Sequence, residues 1–386
     1  ILMIVRPPLL RAFTAMAIAA SLAAGSTVAT VATNAELPPN AQGHVAICPD
    51  AATGGLQTVI VPSDEAEALM TDTSAGAPCA VAPGADAYGP MPDPDTGVHV
   101  GEISDGIYWV TEGVYQAMLV VTDEGVIVVD APPSIPNIPA AIASVTDQPI
   151  THVVYSHSHA DHIAGAGAYP EEATYIAHAE TAHQLESALA ANPMWGAFVG
   201  GGAVPLPTET FDDTYTLALG GRTLELSTPS VIAHEPGNIF IHAPEQSVLM
   251  VIDLIFPGWS PFKDLAQAED VVGYLAVHEE ILAFDADTIV TGHMGRLGTN
   301  EDVAINAEYM TSIQQGALNA LQSVALEPIA AETGFANPWL LFDTYFDELI
   351  AACEAEVVPQ WTDRLAGADV FTADHCYKII ESLRID

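Results

Sequence analysis

Apolar and polar positions change over in short runs from about residue 98 onward. Stretches at 98–103, 107–111, 117–122 and 126–130 are rich in Val, Ile, Thr and Tyr and too short for helices, and the turn residues Asp123, Glu124 and Gly125 separate the last two. They predict strands of a meander. A helical pattern at 138–145 leads into a strand at 151–155, a further strand at 174–177 and a helix at 180–190, so strand and helix begin to alternate. A second strand series follows at 215–219, 223–227, 239–243 and 248–252, then a helix at 266–283, a buried strand at 288–291 and a mostly helical stretch at 300–383. Gly200, Gly201 and Gly202 lack the spacing of a phosphate loop and predict a mobile loop instead. Two similar strand-then-helix halves predict an α/β protein whose two sheets face each other with helices outside.

The remaining chain reads differently. Residues 36–97 are rich in Pro, Gly, Ala and Asp, with one helical stretch at 63–70, and predict an irregular N-terminal extension. Before it, Arg6 and Arg11 precede an Ala-rich apolar run from Ala12 to Ala32. Small residues up to Ala35 close the run, the pattern of a secretory signal, with cleavage expected near Ala35 and the true start at Met3. The run is rich in Ala, Thr, Ser and Gly rather than Leu and Ile, which favours a cleaved leader over a membrane anchor. The expected organisation is therefore a signal peptide at 1–35, the extension at 36–97, a catalytic domain at 98–300 and a helical C-terminal region at 301–386. A periplasmic or secreted location follows, with no stable membrane insertion after cleavage.

Charge narrows the class of partner. The 386 residues hold 50 acidic and 8 basic side chains, and half of the chain is hydrophobic. Every acid lies at or beyond Glu36, so the mature chain keeps six bases: Arg222, Lys263, Arg296, Arg364, Lys378 and Arg384. Such a surface repels phosphate backbones and anionic lipid, which excludes nucleic acid as a partner. It also predicts a saline setting, where the screening length falls from about 8 Å to about 3 Å at molar salt. The cysteines form two local pairs, Cys48 with Cys79 and Cys353 with Cys376. In an oxidising compartment they predict two disulfides, with buried free thiols as the alternative.

The densest chemical signal follows the strand at 151–155, where the chain reads His157, Ser158, His159, Ala160, Asp161, His162. On an extended segment residues two apart point the same way, so His157, His159 and Asp161 can converge while His162 points elsewhere. Imidazole and carboxylate are preferred zinc ligands. The remaining histidines of the 13 lack such spacing, apart from the two named next.

The motif resembles that of the metallo-β-lactamase superfamily, and its other landmarks are filled. His234 stands in Ala233-His234-Glu235-Pro236-Gly237-Asn238, Asp253 closes the apolar run at 247–252, and His293 follows Ile289, Val290, Thr291 and Gly292. The resemblance implies a four-layer αββα sandwich and two zinc ions per chain. One would sit on His157, His159 and His234 and the other on Asp161, His162 and His293, bridged by Asp253, with Asp161 and Asp253 as the catalytic carboxylates. Two such cations lower the pKa of a shared water and polarise the attacked oxygen. An Asp at 253 looks more like glyoxalase II and the lactonases than like true metallo-β-lactamases. Ala233 and Glu235 depart from the usual Gly and hydroxyl residue around the third histidine, which bears on how the ligands are supported.

These features predict an exported hydrolase acting on a lactone, ester or amide of a small molecule. A β-lactamase is the nearest alternative. An iron-dependent oxidoreductase of the sulfur dioxygenase type is an alternative of another class, and a non-catalytic binding module is a third. Lys263 and Arg296 lie shortly after Asp253 and His293 and are candidates to meet a substrate carboxylate, a solubility or ion-pair role being the competing reading. The oligomeric state is not predicted.

Overall fold

The computed structural model describes residues 43–50, 55–62, 80–82, 87, 89–90 and 92–385. The leader, the helix expected at 63–70 and Cys79 lie outside the described residues, so the Cys48–Cys79 pairing does too. The extension is not wholly irregular. Its strands β1 (Gly43–Asp50), β2 (Gly55–Pro62) and β3 (Ala80–Ala82) form an antiparallel sheet in the order β2-β1-β3, consistent with the β-branched residues that the first two runs carry.

Seven strands then make the first large sheet: β4 (His99–Ser104), β5 (Ile107–Thr111), β6 (Gln116–Thr122), β7 (Gly125–Val129), β8 (Ile150–Val154), β9 (Thr174–His178) and β10 (Glu209–Phe211). β4 to β7 form the antiparallel meander, and β7 to β10 run parallel. Their crossovers carry helices α1 (Ile138–Ala143), α2 (Ala160–Ile163) and α3 (Ala179–Ala191). The second sheet is β11 (Thr214–Leu219), β12 (Arg222–Ser227), β13 (Phe240–Ala243), β14 (Val248–Val251) and β15 (Thr288–Val290), in that order.

Alternation along the strands builds the layers. Met118 and Val120 of β6 face Leu224, Ile241 and Met250 of the second sheet, forming the core between the sheets. Ala117 and Leu119 of the same strand face the other way, onto Ile138 and Ile142 of α1 and Leu185 of α3. On the far face of the second sheet, Leu249 and Val251 pack under α4 (Val271–Ala283) and the C-terminal helices. Those helices are α5 (Asn300–Ser323), α6 (Leu326–Thr333), α7 (Pro338–Trp361) and α8 (Ala368–Ile385). The result is helix, sheet, sheet, helix, with the helical C-terminal part laid on the second sheet. A disulfide joins Cys353 of α7 to Cys376 of α8. No helix among the described residues is long and apolar enough to cross a membrane.

The helix expected from residue 266 starts later. Asp264, Leu265, Ala266 and Gln267 have φ between 53° and 60° and form a left-handed turn, and α4 begins at Val271 with the Asp270 side chain accepting the Gly273 N–H. The composition of this segment suits a right-handed helix; tertiary contacts override it. Buried His375 accepts the Leu265 N–H at Nδ1 (3.0 Å) and donates from Nε2 to the Pro261 carbonyl (3.1 Å), so its partners fix a neutral tautomer. Burial pushes its pKa down to about 3.

A folded pKa below the unfolded value of about 6.5 means that this stabilisation is complete above that pH and is lost as pH falls toward 3. Between pH 6.5 and pH 5 the contribution should fall by about 2 kcal/mol. Urea midpoints of the wild type and His375→Gln, compared at those two pH values, should shift by that difference. Equal pH dependence in both proteins would contradict it.

Candidate metal centre

The carboxyl ends of β8, β14 and β15 meet at one edge of the sandwich, and each ends in a candidate ligand. After β8 the chain bends at residues 156–158, which carry His157, returns to an extended conformation at His159 (φ −71°, ψ 137°), and enters α2 there. The helical turn separates the motif into two sets, so Asp161 does not alternate with His157 and His159 as extended chain would predict. His157, His159, His234 and Asp253 offer ligand atoms that all lie within 4.8 Å of one another, and so do Asp161, His162 and His293.

Asp253 joins the two sets. Its Oδ2 lies 3.2 Å from His234 Nε2, 3.2 Å from His162 Nε2 and 3.6 Å from His157 Nε2, and its Oδ1 lies 3.0 Å from His293 Nε2. Its φ of 63° turns the carboxylate inward at the strand end, a conformation Asp tolerates better than most residues. Gly292 lets His293 approach, because a Cβ there would stand 2.8 Å from Ile252 Cγ2 and 3.2 Å from His162 Cε1.

The donor set fits divalent cations. His159 Nδ1 and His234 Nε2 face each other at 2.9 Å, and His157 Nε2 is buried without a hydrogen-bond partner. Ligands held 2.0 to 2.2 Å from a tetrahedral cation stand about 3.4 Å apart, close to the separations found here. Burial holds His157 well below the usual imidazole range and, with His234, takes His159 down to about 4, so both present neutral ligands. At His162 burial opposes the charge, but Asp253 and Asp161 overcome it and push the pKa to about 10. Burial would raise Asp253; His162, His293 and His234 outweigh it and hold the carboxyl well below the usual range.

Support comes from residues the motif did not point to. Ser156 Oγ lies 2.9 Å from His157 Nδ1, and the Ser156 N–H donates to the buried Asp130 carboxylate at 2.8 Å. Burial pushes Asp130 up to about 6. The buried Gln116 side chain donates to the carbonyls of His293 (3.3 Å), Met294 and Arg296 (2.8 Å) and so holds the last ligand loop. Next to it, the Tyr115 hydroxyl donates to Asp161 Oδ2 at 3.2 Å and its ring lies 4.6 Å from that of His293. Tyr115, Gln116 and Asp130 carry no local signature in the sequence.

Glu235, the departure beside the third histidine, has a definite role. It is 3% exposed and accepts the Ser158 N–H at 2.6 Å and the Ser158 hydroxyl at 2.8 Å, while Oε2 lies 3.5 Å from His159 Nε2. It therefore clamps the segment between the first two histidines and orients the imidazole of the second. Carboxylates placed so typically change metal affinity about 10- to 100-fold. Glu235→Ala should weaken binding at the His157, His159 and His234 set by that factor in chelator competition, leaving the Asp161, His162 and His293 set unchanged. Glu235→Gln, which keeps an acceptor for Ser158, should fall between. Unaltered affinity in the alanine variant would reduce Glu235 to packing.

The two bases that are candidates to meet a substrate carboxylate each pair with a carboxylate of the chain. Lys263 Nζ lies 3.0 Å from Asp374 Oδ1 on α8. Arg296 pairs in a two-point contact with Asp302 (3.0 and 2.6 Å) and donates to the Leu297 carbonyl, and Asp302 also completes the capping box of α5.

Residues 110–293 match the family model of the metallo-beta-lactamase superfamily. Over 221 residues the chain is 25% identical to the 2,4-dinitroanisole O-demethylase subunit alpha of Nocardioides sp. (strain JS1661), covering 56% of this chain and 63% of that one. It thus spans less than two thirds of that relative. Among solved structures, a sec-alkylsulfatase from Pseudomonas sp. superposes with a TM-score of 0.53 at 16% identity, over 74% of this chain and 50% of that one. A metallo-beta-lactamase from Pontibacter korlensis gives 0.47 at 21% identity, over 55% and 97%. The motif, the four layers and the family match agree: the domain at residues 110–293 belongs to the metallo-beta-lactamase superfamily.

Proposed function

We propose that the chain is a hydrolase holding two zinc ions, one on His157, His159 and His234 and one on Asp161, His162 and His293, with Asp253 between them, and that it cleaves an ester, lactone or amide of a small molecule. The observation that carries this reading is the reach of one carboxylate, Asp253, to histidines of both sets. When bound, the pair of cations supplies a water of lowered pKa and a Lewis acid for the attacked oxygen. The chain's own part is to fix the ligands, through Glu235 on Ser158 and Gln116 on the His293 loop, and to place the Tyr115 hydroxyl beside Asp161.

A panel of acyl-homoserine lactones, aryl esters, phosphoesters and β-lactams, run on one zinc-loaded preparation, tests it. Ester or lactone turnover that is lost to chelator and restored by zinc is expected. No turnover with two metals bound would leave a binding module, and oxygen consumption by iron-loaded protein would favour the oxidoreductase. The relative's name supports one further arm, an electron-poor aryl methyl ether, since addition of water and loss of an alkoxide uses the same attack. Export is part of the proposal, supported by the leader-like start and the Cys353–Cys376 bridge; N-terminal sequencing of mature protein should begin just after Ala35.

A further inference from the structure

Resting on that reading, we infer that the substrate carries no anionic group, and that a positively charged one is preferred to a neutral analogue. The first observation is where the bases are. All six from residue 42 onward are described, and four are bonded to carboxylates: Arg222 to Asp105, Lys263 to Asp374, Arg296 to Asp302 and Arg364 to Glu308. The Arg384 guanidinium lies 4.7 Å over the Phe346 ring, and Lys378 lines a pocket with Glu269, Asp270 and Glu381. Recognition of a carboxylate, phosphate or sulfate by a two-point contact from Arg222, Arg296 or Arg364 would cost that arginine its carboxylate partner.

The second observation is what flanks the ligands. Beyond Asp161 and Asp253, three further carboxylates close on the centre. Asp130 holds Ser156, Glu235 holds Ser158, and Glu112 accepts the Tyr115 N–H at 3.1 Å beside His293. With Asp161 and Asp253 they place five acidic side chains around the two ligand sets. The whole-chain excess of 50 acids over 8 bases adds a field of the same sign, which raises the local concentration of cations and lowers that of anions. The half-buried ring of Tyr115 lies 4.6 Å from that of His293, and the buried ring of Phe256 stacks on it at 5.8 Å. Aromatic faces accept ammonium groups and apolar acyl chains, not carboxylates.

The test uses the zinc-loaded full chain and three 4-nitrophenyl esters of similar size: butyrate, the monoester of succinate, and the ester of 4-(trimethylammonio)butyrate. The anionic ester should have a kcat/KM at least about tenfold below the neutral one and the cationic ester should exceed it, both gaps shrinking as salt rises from about 0.05 to about 0.5 M. An anionic ester equal to or better than the neutral one overturns the inference while leaving hydrolysis intact. If none is hydrolysed, the proposed function fails, and calorimetric titration with benzyltrimethylammonium and benzenesulfonate still decides the charge question. Tighter binding of the ammonium upholds the inference; tighter or equal binding of the sulfonate overturns it.

Discussion

Asp253→Ala is expected to bind roughly one metal per chain and to lose at least about a hundredfold in turnover. The carboxylate is 4% exposed, and its two oxygens reach nitrogens of His157, His162, His234 and His293. Removing it leaves His157, His159 and His234 as a complete three-histidine set, while the second set loses its link to the first and His162 loses the partner that most favours its charge. Metal analysis of dialysed protein and a rate measurement on the same sample give both readouts. Were Asp253 merely a strand-end carboxylate, the variant would lose about 1 kcal/mol of stability and keep its metals and rate.

Gln116→Ala should be the next most damaging change. The amide reaches three carbonyls of the loop at His293, those of His293, Met294 and Arg296, and sits without exposure at the start of β6. Truncation leaves those carbonyls short of donors and opens a void, which together should cost about 2 to 4 kcal/mol. With the loop released, affinity at the Asp161, His162 and His293 set should fall about 10- to 100-fold. Urea denaturation reads the first effect and chelator competition the second. A variant that loses stability but binds both metals normally would show that His293 is positioned by other means.

What could be read in advance depended on whether a contact is local. The His157 to His162 segment concentrates three imidazoles and a carboxylate in six residues, so its chemistry shows without any fold. His234, Asp253 and His293 were reachable through the resemblance of that motif to the metallo-β-lactamase superfamily, with Asp253 and His293 each following an apolar run. Gln116 could not be found that way, since its partners lie 177 to 180 residues downstream. Glu235 stood out only as a departure; its value lies in Ser158, 77 residues away. The left-handed turn at Asp264–Gln267 is hidden for the same reason, being held by His375 110 residues later. Lys263 and Arg296 illustrate the converse, where nearness in sequence to a ligand suggested a role toward substrate and the structure gives each an acidic partner within the chain.

The central claim, two metal sets sharing one carboxylate, is tested most directly by zinc-edge anomalous diffraction on crystals grown with zinc, alongside metal counting on the same protein. Two anomalous peaks per chain are expected, one among His157, His159 and His234 and one among Asp161, His162 and His293, each within bonding distance of Asp253. A single peak, or a second peak that Asp253 does not touch, would contradict it.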